Sequence, residues 1–213
     1  SVGGSLGRTE ATGYGVIFTV REALKELDVR AADTTASIQG FGNVAQHAIR
    51  LYQQLGGTPI CVSCWDQEDQ TSYSFRKRDG VDLDELLAIA DRFGGIDKAK
   101  AKERGYEVLG GDDWLSQDVD ILIPAALENQ ITAENVAGTS KRVKSIAEGV
   151  VERGRKVHEL GARLEPFEHL FTHFELLVFH LGGLDAEANT VLDRIHLHHA
   201  GFDSIADFHD VLD

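Results

Sequence analysis

Apolar positions along the chain lay out its elements first. Val16, Val20, Ala23, Leu24 and Leu27 recur at intervals of three and four, which predicts a helix over residues 10–27. Glu10 early and Lys25 late carry the signs that suit the helix dipole. The run 36–39 reads as a strand. It meets Gly40 and Gly42 and gives way to Val44, Ala48, Ile49 and Tyr52 at helical spacing, until Gly56 and Gly57 stop the pattern. A second strand is expected at 59–63, and the polar stretch 66–80 reads as a loop or a small hairpin. Residues 82–93 predict a helix capped by Asp82, with Glu85 three positions on. Further on come a short helix at 96–104 ended by Gly105, strands at 106–109 and 119–123, a short Thr-capped helix at 132–136 and a last strand at 142–147. Strands alternating with helices require crossovers, so residues 1–149 are expected to form a doubly wound, mostly parallel α/β domain with helices on both faces.

The pattern changes after residue 149. Phe167, Leu170, Phe171, Phe174, Leu177, Val178 and Leu181 fall on one helical stripe between Pro166 and the Gly182–Gly183 pair, and further helices are expected after Asp185 and Asp203. Residues 150–213 therefore read as a helical C-terminal segment of unknown origin. Composition steps at the same place. Residues 1–149 hold 23 acids and 16 bases, residues 150–213 hold 12 and 5, and eight of the nine histidines lie between His158 and His209.

Hydrophobic residues at 42% and charged residues at 26% are those of a folded globular chain and exclude a disordered or collagen-like one. A net charge of −14 repels phosphate polymers, so nucleic acid is set aside as a partner. The same surface also suits high salt, where screening removes self-repulsion. The longest run without a charged residue, 34–49, falls short of a membrane span, so no membrane is expected either. The chain starts at Ser1 and contains no methionine, and is expected to be a piece of a longer product or an edited record.

Cys61 and Cys64 form a C-x-x-C pair, the spacing of a redox motif. On a strand, residues three apart point to opposite faces, which puts the thiols beyond disulfide reach. Two reduced thiols place the protein in the cytoplasm. The stronger motif is Gly40-x-Gly42-x-x-Ala45, between a predicted strand and a predicted helix. That is the setting of a dinucleotide fingerprint. The first glycine permits the sharp turn, the second lets backbone approach a pyrophosphate, and Ala45 allows close packing of helix on strand. The helix start then receives the anion. An acid at the end of the second strand usually binds the adenosine ribose, but Cys64 is no carboxylate and Asp66 lies two residues further on, so NAD and NADP both stay open.

Three runs, SLGRTEATGYG at 5–15, QGFGNV at 39–44 and IPAALENQI at 123–131, together resemble the cofactor domain of the glutamate dehydrogenase family, whose leucine and phenylalanine members share the layout. The resemblance covers residues 1–149 and implies a Rossmann-like fold, NAD or NADP as cofactor and oxidative deamination of L-glutamate to 2-oxoglutarate. It also implies a homo-oligomer. Carried over by position, it puts Arg8 and Thr12 beside the nicotinamide amide and Gly40, Phe41, Gly42, Asn43 and Val44 around the pyrophosphate. Cys64 and Trp65 would flank the adenosine, and Ala125, Ala126 and Asn129 would line the nicotinamide ribose. The family's earlier domain, with its substrate lysines and catalytic aspartate, does not precede Ser1, and its later motifs do not follow Gly149. The chain is therefore expected to bind dinucleotide without turning glutamate over, and no catalytic residue is assigned. The rival reading is a non-catalytic scaffold whose acidic tail binds a protein or a metal. His169 and His173, four apart, could share a metal ion, but a solvated polar face explains them better.

Overall fold

The structure is a computed structural model that describes residues 7–127 and 130–149. The expected helical tail, with His169 and His173, and Asn129 of the third motif lie outside the described residues. The elements run α1 (Arg8–Glu26), β1 (Thr35–Gln39), α2 (Asn43–Gln54), β2 (Thr58–Asp66), β3 (Thr71–Arg76), α3 (Leu83–Leu87), α4 (Lys98–Glu103), β4 (Glu107–Gly110), β5 (Ile121–Pro124) and β6 (Ser145–Ile146). Short 3₁₀ turns occupy Ala31–Asp33, Gly111–Trp114 and Val136–Gly138. The strands form one sheet in the order β4-β3-β2-β1-β5-β6. The pairings β1–β2, β1–β5 and β5–β6 are parallel, whereas β2–β3 and β3–β4 are antiparallel. The fold is thus Rossmann-like, with an antiparallel edge built by the hairpin that 66–80 allowed.

The hairpin lengthens β2. Cys61 to Asp66 pair with Arg76 to Thr71, so the strand continues past 63 and carries Cys64, Trp65 and Asp66 out to its tip. Two other elements are shorter than their patterns predicted. The helix expected at 82–93 closes after Leu87 because Ala90 pairs with Ile96 and the Ile89 carbonyl accepts the Asp97 N–H, which turns the chain back on itself. Its cap is as read, with the Asp82 carboxylate accepting the Glu85 N–H at 2.9 Å. The last strand shrinks to Ser145–Ile146, since the amides of Lys144 and Ser145 both donate to the Asp120 carbonyl. In place of the short helix expected at 132–136 lies a turn held by Asn135, whose Oδ1 accepts the Thr132 N–H.

Side chains alternate across the sheet. Ala36, Ile38, Val62, Cys64, Ile121 and Ile123 join one apolar cluster with residues of all four α-helices. Cys61 and Leu122 join a second cluster with Trp114, Leu115, Val119, Ile131 and Val143. No described α-helix contributes to that second face, which is covered by 3₁₀ turns and loops. The expectation of helices on both faces is corrected here, because the connections from β4 to β5 and from β5 to β6 are 3₁₀ turns and loop. The two cysteines lie on opposite faces as predicted, and both are free and buried. Burial pushes the Cys61 thiol up to about 12 and the Cys64 thiol up to about 11, so neither has thiolate character at neutral pH.

Candidate functional site

The first glycine of the turn ends β1 at φ +100°, a backbone conformation that glycine holds without strain. Its N–H donates to the buried Ser63 Oγ at 3.2 Å, which ties the turn to β2. A methyl group at Gly40 would stand 2.8 Å from the Ala126 Cβ and 3.2 Å from the Ala125 carbonyl oxygen, so the chain leaving β5 rests directly on this glycine. Phe41 turns its ring into the core, and its carbonyl accepts from Gln46 Nε2 at 2.7 Å. The turn is therefore not plugged by that ring.

Gly42 caps α2 in an extended conformation without a side-chain cap, and both Gly42 and Asn43 are exposed. A methyl group at Gly42 would meet nothing within 4 Å. Among the described residues no acceptor takes the N–H of Gly42, Asn43 or Val44. Those amides stand at the positive end of a twelve-residue helix. This arrangement can receive an anion, and it holds a local partial charge of the right sign in a chain of −14.

Close helix packing brings α1 to the same corner. A methyl at Gly13 would lie 2.6 Å from the Val44 carbonyl oxygen and 2.9 Å from the Ala48 nitrogen, so only glycine lets α1 approach α2 this closely. Asn43 Nδ2 donates to the Thr9 carbonyl and fastens the start of one helix to the start of the other. Arg8 and Thr12 are exposed on the first turns of α1. Arg8 makes no ion pair among the described residues. Val44 turns inward against Gly149, whose N–H donates to the Pro124 carbonyl at 2.7 Å.

Opposite α1, the Ala125 N–H donates to the Gln39 carbonyl at 2.9 Å, and Gln39 Nε2 donates to Gln130 Oε1 at 2.8 Å. Ala125 is buried, while Ala126 and Leu127 are exposed at the rim. At the tip of β2, Cys64 is buried beneath the surface with its Sγ accepting the Ile96 N–H, and Trp65 is exposed. Asp66 is held well below the ordinary carboxylate range by its hydrogen bond to Lys98, with the Asp69 N–H adding to it. The turn thus gathers Arg8, Thr12, Gly40, Gly42, Asn43 and Ala126 round one corner, with Trp65 at the tip of the neighbouring strand.

Gly13, Gln39 and Gly94 were not assigned from sequence, although each shapes this corner. A glycine inside a helix costs about 1 kcal/mol relative to alanine, and that cost was the available signal for Gly13. Gly94 sits at φ +86°, and a methyl there would lie 2.6 Å from the Phe41 carbonyl oxygen. It brings the turn at 91–95 against the glycine turn.

The profile of the Glutamate/Leucine/Phenylalanine/Valine dehydrogenase family matches residues 3–150. The chain belongs to this family. An NAD-specific glutamate dehydrogenase of Peptoniphilus asaccharolyticus is 35% identical over 167 residues, 77% of this chain and 38% of that protein. The NADP-specific glutamate dehydrogenase A1 of Halobacterium salinarum is 35% identical over 129 residues, 61% of this chain and 29% of that one. A solved hetero-hexameric glutamate dehydrogenase of Thermus thermophilus, in a leucine-bound form, aligns at TM-score 0.57 with 18% identity, covering 91% of this chain and 45% of that chain, and shows the fold. The chain spans roughly a third of the length of these curated dehydrogenase relatives. Among the described residues no helix is long and apolar enough to cross a membrane, and no cluster of His, Cys, Asp and Glu could hold a metal ion.

Proposed function

We propose that residues 1–149 are the nicotinamide-dinucleotide-binding domain of a glutamate dehydrogenase-like oxidoreductase, and that residues 150–213 are a separate segment. The observation that carries this reading is the set of amides at Gly42, Asn43 and Val44 that no acceptor takes among the described residues, at the start of α2 beside an open Gly42. The residues present fit a diphosphate there. Gly40 holds the turn, Gly42 leaves the approach clear, and the helix end supplies the charge. When bound, NAD or NADP supplies the hydride acceptor for oxidative deamination of L-glutamate to 2-oxoglutarate, or the donor for its reverse. Arg8 and Thr12 hold the nicotinamide amide, Ala125, Ala126 and Asn129 line its ribose, and Cys64 and Trp65 flank the adenosine. The protein works in the cytoplasm as a homo-oligomer; its two buried, free thiols support the compartment.

Titrating NADH and NADPH into the full chain and following nicotinamide fluorescence tests the reading. Saturable binding that is lost on Gly42→Asp supports it, because the new carboxylate stands where the anion would sit while the fold has room for it. No binding at millimolar cofactor overturns it in favour of a non-catalytic scaffold.

A further inference from the structure

Gln39 closes β1 and is only 8% exposed, although its side chain is a primary amide. The strand pairs in parallel with β2 on one side and with β5 on the other, so it stands where the connections of the sheet part, and Gln39 lies opposite Pro124 at the end of β5. Side chains two apart on a strand share a face. Ser37 donates to the Trp114 carbonyl at 2.7 Å on the second face, and Gln39 follows it on the side that no described α-helix covers. A buried amide is costly unless its groups find partners, so a leucine would suit this position unless the amide has a task.

Its hydrogen bonds converge on one segment. The Gln39 carbonyl accepts the Ala125 N–H at 2.9 Å, Oε1 accepts the Leu127 N–H at 3.4 Å, and Nε2 donates to Gln130 Oε1 at 2.8 Å. The far end of that segment is fixed in turn. Asn135 Nδ2 donates to the Gln130 carbonyl at 2.7 Å, Asn135 Oδ1 accepts the Thr132 N–H at 2.8 Å, and Ile131 is buried in the second apolar cluster. The residue after Gln39 is Gly40, against which Ala126 rests. One side chain therefore ties the chain leaving β5 to the residue beside the glycine turn. Among the described residues it makes no hydrogen bond to β2 or α2.

We propose that Gln39 is a positioning residue for the nicotinamide half of the dinucleotide, acting by holding the segment that leaves β5 against the glycine turn. The proposal rests on the dinucleotide reading above, in which Ala125 and Ala126 line the nicotinamide ribose while the start of α2 and the tip of β2 hold the rest. Without the Gln39 amide that segment shifts, and only a ligand that carries a nicotinamide riboside meets the change.

The test measures, on the full chain, the dissociation constant of NADH by fluorescence and that of ADP by displacement of NADH. ADP keeps the adenosine and the diphosphate and lacks the nicotinamide riboside. Gln39→Leu weakens NADH about tenfold and leaves ADP within about twofold of the parent. Gln130→Leu, at a half-buried position, weakens NADH about threefold with ADP again unchanged, and the double variant is no weaker than Gln39→Leu because both break one link. Thr34→Val breaks the buried hydrogen bond to Tyr52 at the opposite end of β1, so it lowers the melting temperature while both affinities stay within about twofold. Should Gln39→Leu fail to fold, Gln130→Leu carries the same comparison. Unchanged NADH affinity in the folded variants, an equal loss of ADP and NADH, additive losses in the double variant, or the same NADH loss in Thr34→Val overturns the positioning role and leaves the dinucleotide reading standing. A parent chain that binds neither NADH nor ADP overturns both.

Discussion

The two rims of the sheet solve opposite problems. At the rim where β5 begins, Asp120 is almost completely buried and every valence is used. It accepts from the Thr35 N–H at 2.9 Å and the Thr35 hydroxyl at 3.1 Å, and pairs with Arg142 at 2.8 Å and Lys144 at 3.1 Å. Close by, Thr34 and Tyr52 share a buried hydrogen bond of 2.7 Å. At the rim where β1 ends, the backbone makes close approaches at Gly13, Gly40 and Gly94, yet among the described residues the amides of Gly42 to Val44 have no partners. Satisfied charge at one rim makes stability, and unsatisfied backbone at the other is what the proposed site is built from. The difference lies in which groups the fold leaves for something else to bind.

This comparison breaks if the two rims trade effects, so each is best perturbed alone. Asp120→Ala has the largest consequence. It strips the partner from Thr35 and two cations, and is expected to cost about 3 kcal/mol in chemical denaturation while leaving NADH affinity at the folded baseline within about twofold. Gly40→Ala follows, at about 2 kcal/mol, because a side chain at φ +100° meets both strain and the Ala126 Cβ; unlike Asp120→Ala it also weakens NADH. Gly42→Asp reverses the Asp120 pattern, with stability within about 0.5 kcal/mol of the parent and NADH affinity down more than tenfold.

Titration sharpens the same contrast. Burial disfavours the Asp120 carboxylate, but the Thr35 N–H, Arg142 and Lys144 outweigh it and hold the group below its usual range. Its contribution is therefore complete above the unfolded carboxylate value of about 3.9 and is lost as pH falls through the lower folded value. Acid unfolding curves of Asp120→Asn should be flatter over that window. The smallest effect is chemical silence. With burial raising both thiols, Cys61 and Cys64 stay unlabelled by a thiol reagent at pH 8 until the chain unfolds, and rapid native labelling of either would contradict the assignment of both to the core.

Much of the glycine corner was legible because its signals are local. Gly40, Gly42 and Ala45 are spaced by the demands of one turn and one helix start, and the strand and helix on either side follow from periodicity. The opposite faces of Cys61 and Cys64 follow from the two-residue period of a strand. What was not legible depends on partners distant in sequence. The length of β2 is set by its pairing with Thr71 to Arg76, the early end of α3 by the Ala90–Ile96 bridge, and the lack of a described α-helix on the second face by connections made of 3₁₀ turns and loops. Asp66 could be seen as a carboxylate near the right strand, but its capture by Lys98, 32 positions away, could not. The roles of Gly13 and Gly94 were hidden for the same reason, since each is defined by the backbone it touches.

Backbone amide resonances give the most direct test of the account. On adding NADH to the isotopically labelled full chain, the amides of Gly42, Asn43 and Val44 are expected to show the largest shifts and slowed solvent exchange, while those of Thr35, Asp120 and Lys144 at the opposite rim stay in place. Shifts centred anywhere else, or an unchanged glycine turn at saturating NADH, would contradict the claim that free donors past β1 grip the diphosphate.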